Sequence, residues 1–157
     1  MRRQDRRITE RSEIEAILSR ETVCRIAFAV DGEPYIVPLS YGYDAQTHAL
    51  VFHMATEGRK IDCMEANPRV CFEIEGPTEL ISTGADACGW SIRYESLIGY
   101  GTLTEVSDPD AKLVALRCLM RQQSGQDLDW TFSEKHVAVT RIWRLEIESI
   151  EGKRANP

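Results

Sequence analysis

The chain has 157 residues, of which 43% are hydrophobic and 28% charged, a length and balance that predict one folded domain over residues 1–157 and exclude a disordered chain. Nineteen Lys and Arg against 25 Asp and Glu leave a net charge of −6, so the molecule as a whole repels nucleic acid and anionic membranes, and neither is expected as a partner. An anionic ligand must therefore find a local basic site.

The opening arginines alternate with Asp5 and Glu10, which predicts a flexible, solvated arm over residues 1–8. Ser12 and Glu15 have the spacing of a capping box, and Ile14, Ile17 and Leu18 share one helical face, predicting a helix over 12–20. Cys24, Ile26, Phe28 and Val30 then alternate with Val23, Arg25, Ala27 and Ala29 before Asp31-Gly32, the pattern of a half-buried strand entering a hairpin turn. The second arm, residues 35–41, contains Pro38, which lacks a backbone donor and belongs at a sheet edge or a bulge. A third apolar run covers residues 49–54, and these first strands are expected to pair in sequence, antiparallel.

Gly58-Arg59-Lys60 opens a short helix containing Ile61 and Met64, closed by Asn67-Pro68. Val70, Phe72 and Ile74 alternate in the next strand, and a long strand follows over 90–106, where Gly99 and Gly101 predict a bend or a close backbone approach. Asp108-Pro109 starts a helix over 109–123 whose apolar face is expected at Leu113, Leu116 and Met120, and a last strand over 139–150 turns Trp143, Leu145 and Ile147 inward. Six or seven strands with two or three short helices make an α+β fold dominated by antiparallel sheet, most economically a small barrel, because closure removes exposed edges.

The chemistry concentrates where the third strand runs into Gly58-Arg59-Lys60. A helix start offers unpaired amides and the positive end of the dipole, while Arg and Lys suit phosphate oxygens; spacing alone leaves the pair open between a phosphate site and two solvated cations. Neither a Walker loop nor a dinucleotide fingerprint is present, since Gly99-Tyr100-Gly101 lacks the third glycine. His48, His53 and His136 have no metal-ligand spacing, so no metal is expected, and His53 is open between a ligand-facing residue and a hydrogen-bonded barrel histidine. Cys24, Cys63, Cys71, Cys88 and Cys118 are odd in number and lack a Cys-x-x-Cys pair, which predicts free thiols in a reducing cytoplasm. No apolar run reaches the roughly 20 residues of a bilayer span, and charge rather than an apolar signal core follows Met1. No nucleophile motif is present, so any redox chemistry belongs to a cofactor.

The order Asp31-Gly32-Glu33-Pro34-Tyr35-Ile36-Val37-Pro38-Leu39, then Leu50-Val51-Phe52-His53 with Gly58-Arg59-Lys60, then Asn67-Pro68-Arg69-Val70-Cys71-Phe72 resembles the FMN-binding split-barrel family named after pyridoxamine 5'-phosphate oxidase, in its nitroimidazole-resistance branch. Trp90 to Tyr94 and Ser96 to Gly101 extend the resemblance to about residues 8–152. It implies a split barrel that forms a homodimer with FMN at the subunit interface, and a nitroreductase-like oxidoreductase passing electrons from reduced FMN to a small planar acceptor. Gly58, Arg59 and Lys60 match the phosphate-binding segment, and Val37, Pro38, Leu39 and Ser40 match the strand bordering the flavin ring. His53 matches the histidine beside the flavin and is the catalytic candidate; Trp90 and Tyr94 match the region given by the second subunit. The oxidase proper carries an Arg-x-His segment near its end where this chain has Trp143-Arg144-Leu145-Glu146, which argues against pyridoxamine phosphate oxidation. A non-catalytic flavin-binding module and a split barrel holding haem or a deazaflavin are the rival readings.

Overall fold

The computed structural model describes residues 3–156. In chain order, after a 3-10 turn at Gln4–Arg6, the elements are β1 (Arg7–Ile8), α1 (Arg11–Arg20), β2 (Val23–Val30), β3 (Glu33–Ser40), β4 (Gly42–Asp44), β5 (Ala49–Met54), α2 (Arg59–Ala66), β6 (Arg69–Glu75), β7 (Glu79–Ile81), β8 (Ser91–Val106), α3 (Pro109–Ser124), α4 (Glu134–Ala138) and β9 (Arg141–Ala155). Every strand pairing is antiparallel, and the main order is β3-β2-β6-β8-β9-β5-β4, with β1 on β9 and β7 on β8. β3 also touches β5 across the interior, so the curled sheet approaches closure without a hydrogen-bonded seam there. The class is the expected one.

The strand count is nine among the described residues, above the six or seven expected, because β1, β4 and β7 have two or three residues each and are too short to show an alternation. Among the described residues there are four helices, with two further 3-10 turns. The arm expected at residues 1–8 is a correction where it is described: Arg7 and Ile8 pair with Lys153 and Gly152, and Ile8 is buried. The first two residues of that arm lie outside the described ones.

β2 alternates as its sequence dictates, with Cys24, Ile26 and Phe28 buried, and Asp31 and Gly32 take positive φ angles of 52° and 83° in the tight turn to β3. β3 is an edge strand, so Pro38, opposite Arg25, removes a donor only where no further strand pairs. Two of the helical expectations shift. α1 begins two residues earlier than the capping box requires: Glu10 is the N-cap through its backbone, Ser12 lies inside the helix, and Glu15 instead accepts from Arg11 at 2.7 Å. α3 does have its Asp108 cap, whose carboxylate accepts from the Ala111 amide at 2.8 Å, but its buried face is Ala115 and Leu119 rather than Leu113, Leu116 and Met120, because the alanine lets the helix approach the sheet.

The last strand runs over Arg141–Ala155, later at both ends than expected, with α4 occupying the preceding segment. A bulge explains its length. Tyr100 pairs with Ser149 and Gly101 with Ile147, leaving Glu148 unpaired; the inward positions are odd before it (Trp143, Leu145) and even after it (Ile150, Gly152). At Gly99, a Cβ would collide with the Phe72 ring and the Ser149 carbonyl, so this glycine marks the close approach of backbone that the sequence suggested.

The core fills the barrel with Ile26, Phe28, Phe52, Phe72, Leu97 and Leu145, while a smaller cluster of Val51, Ala115, Leu119 and Ile142 lies between α3 and the outer face of β5 and β9. Across the other outer face the register aligns one row, Ile36–Ala27–Cys71–Tyr100, from β3 through β2 and β6 to β8. Ile36 is 61% exposed, Tyr100 48%, and Ile98 on the adjoining row 51%, a line of apolar groups on a strand face that a monomer leaves in water.

Candidate functional site

α2 is where backbone and charge come together. Gly58 is its N-cap with φ 127°, a conformation that side chains rarely adopt, and its carbonyl accepts from the amides of Ile61 at 2.7 Å and Asp62 at 3.2 Å. The amides of Arg59 and Lys60 at the first turn have no partner within the helix, and Gly58 supplies no capping side chain. They are left for an external acceptor.

Arg59 lies over the Tyr35 ring, its guanidinium carbon 4.5 Å from the ring centroid. Tyr35 stacks in turn on Phe28, centroids 5.9 Å apart, so an inward-facing aromatic of β3 fixes the first cation at the barrel end. Lys60 is half-buried and, among the described residues, has no ion-pair or hydrogen-bond partner. In a chain rich in arginine–carboxylate pairs, this leaves two positive charges uncompensated at one helix start, where a dianionic phosphate would satisfy them and the free amides together.

His53 sits at the end of β5, opposite Ile142, on the outer sheet face. It is exposed and makes no hydrogen bond among the described residues, which excludes the hydrogen-bonded barrel histidine. On β3, Val37 and Leu39 pack partly against the core while Pro38 and Ser40 are exposed at the unpaired edge. The contact between β3 and β5, together with that between Arg59 and Tyr35, brings this edge, the His53 strand and the α2 start to the same split in the barrel.

Trp90 and Tyr94 do not join them within one chain. Tyr94 pairs with Ala155 at one end of β8, whereas Val106 at the other end pairs with Ile142, the neighbour of His53; twelve residues of strand separate the two ends by roughly 40 Å. Trp90 is 46% exposed and donates its indole N–H to the Gly84 carbonyl at 2.8 Å. Lys153 lies with its Nζ 5.5 Å from the Tyr94 ring centroid and Arg6 donates to the Tyr94 hydroxyl at 3.4 Å, and these cations draw its pKa below the usual phenol value.

Two supports of the site escaped the sequence reading. Tyr35 is one; its inward place in the alternation Tyr35, Val37, Leu39 was the available signal. Arg141 is the other. At the end of β9 beside Met54, it forms a fork with Glu105 at 2.6 and 2.8 Å, bonds Glu65 of α2 at 2.8 Å, and lies 3.5 Å from the Thr56 carbonyl. It thus holds the link between β5 and α2. No local motif announces it, since its partners are 36 to 85 residues away. Among the described residues no group of three or more His, Cys, Asp or Glu converges as a metal site, all five cysteines are free, and no helix is long and apolar enough to cross a membrane.

The pyridoxamine 5'-phosphate oxidase family matches residues 10–154. The chain belongs to that family. Among solved structures of this fold, a candidate 5-nitroimidazole antibiotic resistance protein from Bacteroides thetaiotaomicron superimposes with a TM-score of 0.80 at 26% identity, covering 96% of this chain and 90% of the other. An FAD-binding protein from Mesorhizobium loti gives a TM-score of 0.67, also at 26% identity, over 94% and 96% of the two chains. An uncharacterized protein of Rhizobium meliloti, RA0666, is 31% identical over 68 residues, and the match spans 43% of that relative and 43% of this chain. Within the pyridoxamine 5'-phosphate oxidase family, then, this chain has the split-barrel fold together with a cationic helix start at the split.

Proposed function

We propose that the protein is a homodimeric FMN-dependent oxidoreductase of the nitroreductase-like kind. The observation that carries this reading is the uncompensated pair Arg59 and Lys60, with free amides, at the split, with His53 exposed on the outer face of the strand that leads to it. Family membership, and the two 26%-identical neighbours named for nitroimidazole resistance and for FAD binding, support a flavin there. FMN carries one terminal phosphate, matching the single cation pair.

Bound flavin would supply the electron chemistry. The chain's own part is to hold the phosphate through Lys60, Arg59 and the first-turn amides, to border the ring with the exposed edge at Pro38 and Ser40, and to present the His53 imidazole where an acceptor can approach. A second copy seated on the exposed row of Ile36, Tyr100 and Ile98 would cover that apolar line. It would also bring a region such as Trp90 and Tyr94 to a split its own chain cannot reach.

The visible spectrum of the purified protein and stopped-flow reoxidation of its reduced form by a nitroaromatic or quinone test this. A flavin spectrum, reoxidation faster than that of free reduced FMN, and slowing by about 10- to 100-fold in His53→Ala, as for loss of a proton donor at the low end of the usual range, are expected. A haem spectrum removes the flavin assignment. Reoxidation no faster than that of free flavin with every acceptor replaces the enzyme with a flavin-binding module.

A further inference from the structure

The outer face carries a second concavity that the flavin reading leaves unused. α3 seats so closely on β4 that a Cβ at Gly42 would lie 2.7 Å from the Leu119 Cα. Along the flank of the helix, between it and the outer sides of β5, β8 and β9, lies a cleft of about 720 Å3, within the range of roughly 300 to 1,000 Å3 typical of small-molecule sites.

Its composition is unusual for this chain. The floor is apolar, formed by Val51, Val106, Ala111 and Ala115. The rim carries three guanidiniums, Arg117 and Arg121 from α3 and Arg144 from β9, against one carboxylate, Asp44. Asp44 lies 3.5 Å from Arg144 and also accepts from the Thr47 hydroxyl and the Gln46 amide, and Arg144 has the exposed Glu146 carboxylate 3.9 Å away on its other side. Arg121 reaches outward to Asp127 at 3.0 Å, both side chains largely exposed. Arg117 has no partner among the described residues. Cys118 adds no charge, since burial pushes its thiol up to about 11. With Arg121 held by Asp127 and Arg144 beside Asp44 and Glu146, Arg117 is the rim guanidinium that no carboxylate meets among the described residues, and it stands over an apolar floor.

We propose that this cleft binds a small amphipathic carboxylate, its apolar body on the alanine and valine floor and its carboxylate between Arg117 and Arg144. A neutral apolar guest would desolvate guanidiniums without pairing them. An inorganic polyanion such as triphosphate would leave the floor unused and meet Asp44. The planar guanidinium fork suits a carboxylate, which it can bind in bidentate fashion. This site is separate from the α2 start and does not depend on what is bound there.

The test uses the protein as purified, cofactor included, with alanine and valine methyls labelled for NMR and 2-naphthoate as the probe. Saturable shifts confined to the cleft's own methyls, Ala45, Val51, Val106, Ala111, Val114 and Ala115, with a Kd below about 1 mM, are expected. The uncharged analogue 2-naphthylmethanol should bind at least tenfold more weakly. Arg117→Gln combined with Arg144→Gln should weaken naphthoate at least tenfold while leaving the alcohol unchanged. Val114→Trp, at a position 64% exposed on the rim, should block the cleft without disturbing methyl signals elsewhere. Absence of saturable shifts, equal affinity for acid and alcohol, or shifts centred on the residues around Arg59 and Lys60 would each overturn the proposal.

Discussion

Replacing Lys60 and Arg59 by Ala, singly and together, separates a phosphate site from two helix cations that merely face solvent. A charge-assisted hydrogen bond contributes about 1.5 to 3 kcal/mol, so each loss should weaken FMN by about 10- to 150-fold. The two positions differ in what else they do. Lys60 has no partner among the described residues, and its removal should leave stability within about 0.5 kcal/mol. Arg59 lies over Tyr35 at 4.5 Å, a contact worth about 0.5 to 1 kcal/mol at an exposed site, so Arg59→Ala should also lower Tm by about 1 to 4 °C in a domain of this size. Riboflavin lacks the phosphate and makes neither contact. Fluorescence quenching titrations of the apoprotein with FMN and with riboflavin, beside thermal melts of each variant, read both effects. If Lys60→Ala weakens the two flavins equally, or weakens neither, phosphate binding at α2 is refuted, whatever Arg59 does.

At the far end of α3, Gln122 donates to the carbonyls of Leu18 (2.9 Å), Ser19 (3.0 Å) and Glu21 (2.6 Å), and Gln123 to those of Thr22 (2.9 Å) and Tyr41 (2.8 Å); at about 1 kcal/mol per satisfied donor, the Gln122→Ala, Gln123→Ala double variant should lose about 2 to 4 kcal/mol in urea unfolding, and a loss under 1 would show that water replaces them. Glu105 is held below its usual 4.5 mainly by Arg141. Its contribution is therefore complete above that value and fades as pH falls through the lower folded value, so the stability gap between wild type and Glu105→Gln should close in acid; a gap constant from pH 7 to pH 3 would contradict this. Ile36→Asp with Tyr100→Asp places charges in the exposed row and should convert a dimer to monomer by sedimentation at micromolar concentration; a dimer that survives both changes does not use this face.

Local patterns carried the elements that obey them. The β2 alternation, the turn at Asp31 and Gly32, the Asp108 cap and the position of Gly58-Arg59-Lys60 at a helix start are all encoded within a few residues, and each is where its chemistry puts it. What was not legible depends on distant chain. Ile8 is buried because Gly152 lies opposite it, 144 positions later, and the polar sequence after Ile150 stays in the sheet because the bulge at Glu148 shifts its register against β8. The Ser12 box failed to form because Glu15 is engaged by Arg11, a competition that spacing does not reveal. At the candidate site, the cations were visible in sequence; Tyr35, which seats one of them, and Arg141, which anchors the link between β5 and α2, are tied to it only through the fold.

β9 lies between β8 and β5 in the sheet, yet comes after every strand it pairs with. Until it is in place, β4 and β5 have no strand joining them to the half of the sheet built from β2, β3, β6 and β8, and α2 has lost its Arg141 anchor. Most contacts of the molecule are also long-range in sequence, a topology that slows folding. During synthesis the strands before β9 must therefore wait, with the Val51 and Phe52 strand uncovered along one edge, which makes that strand the place where a chaperone, or a misplaced neighbour, would first take hold.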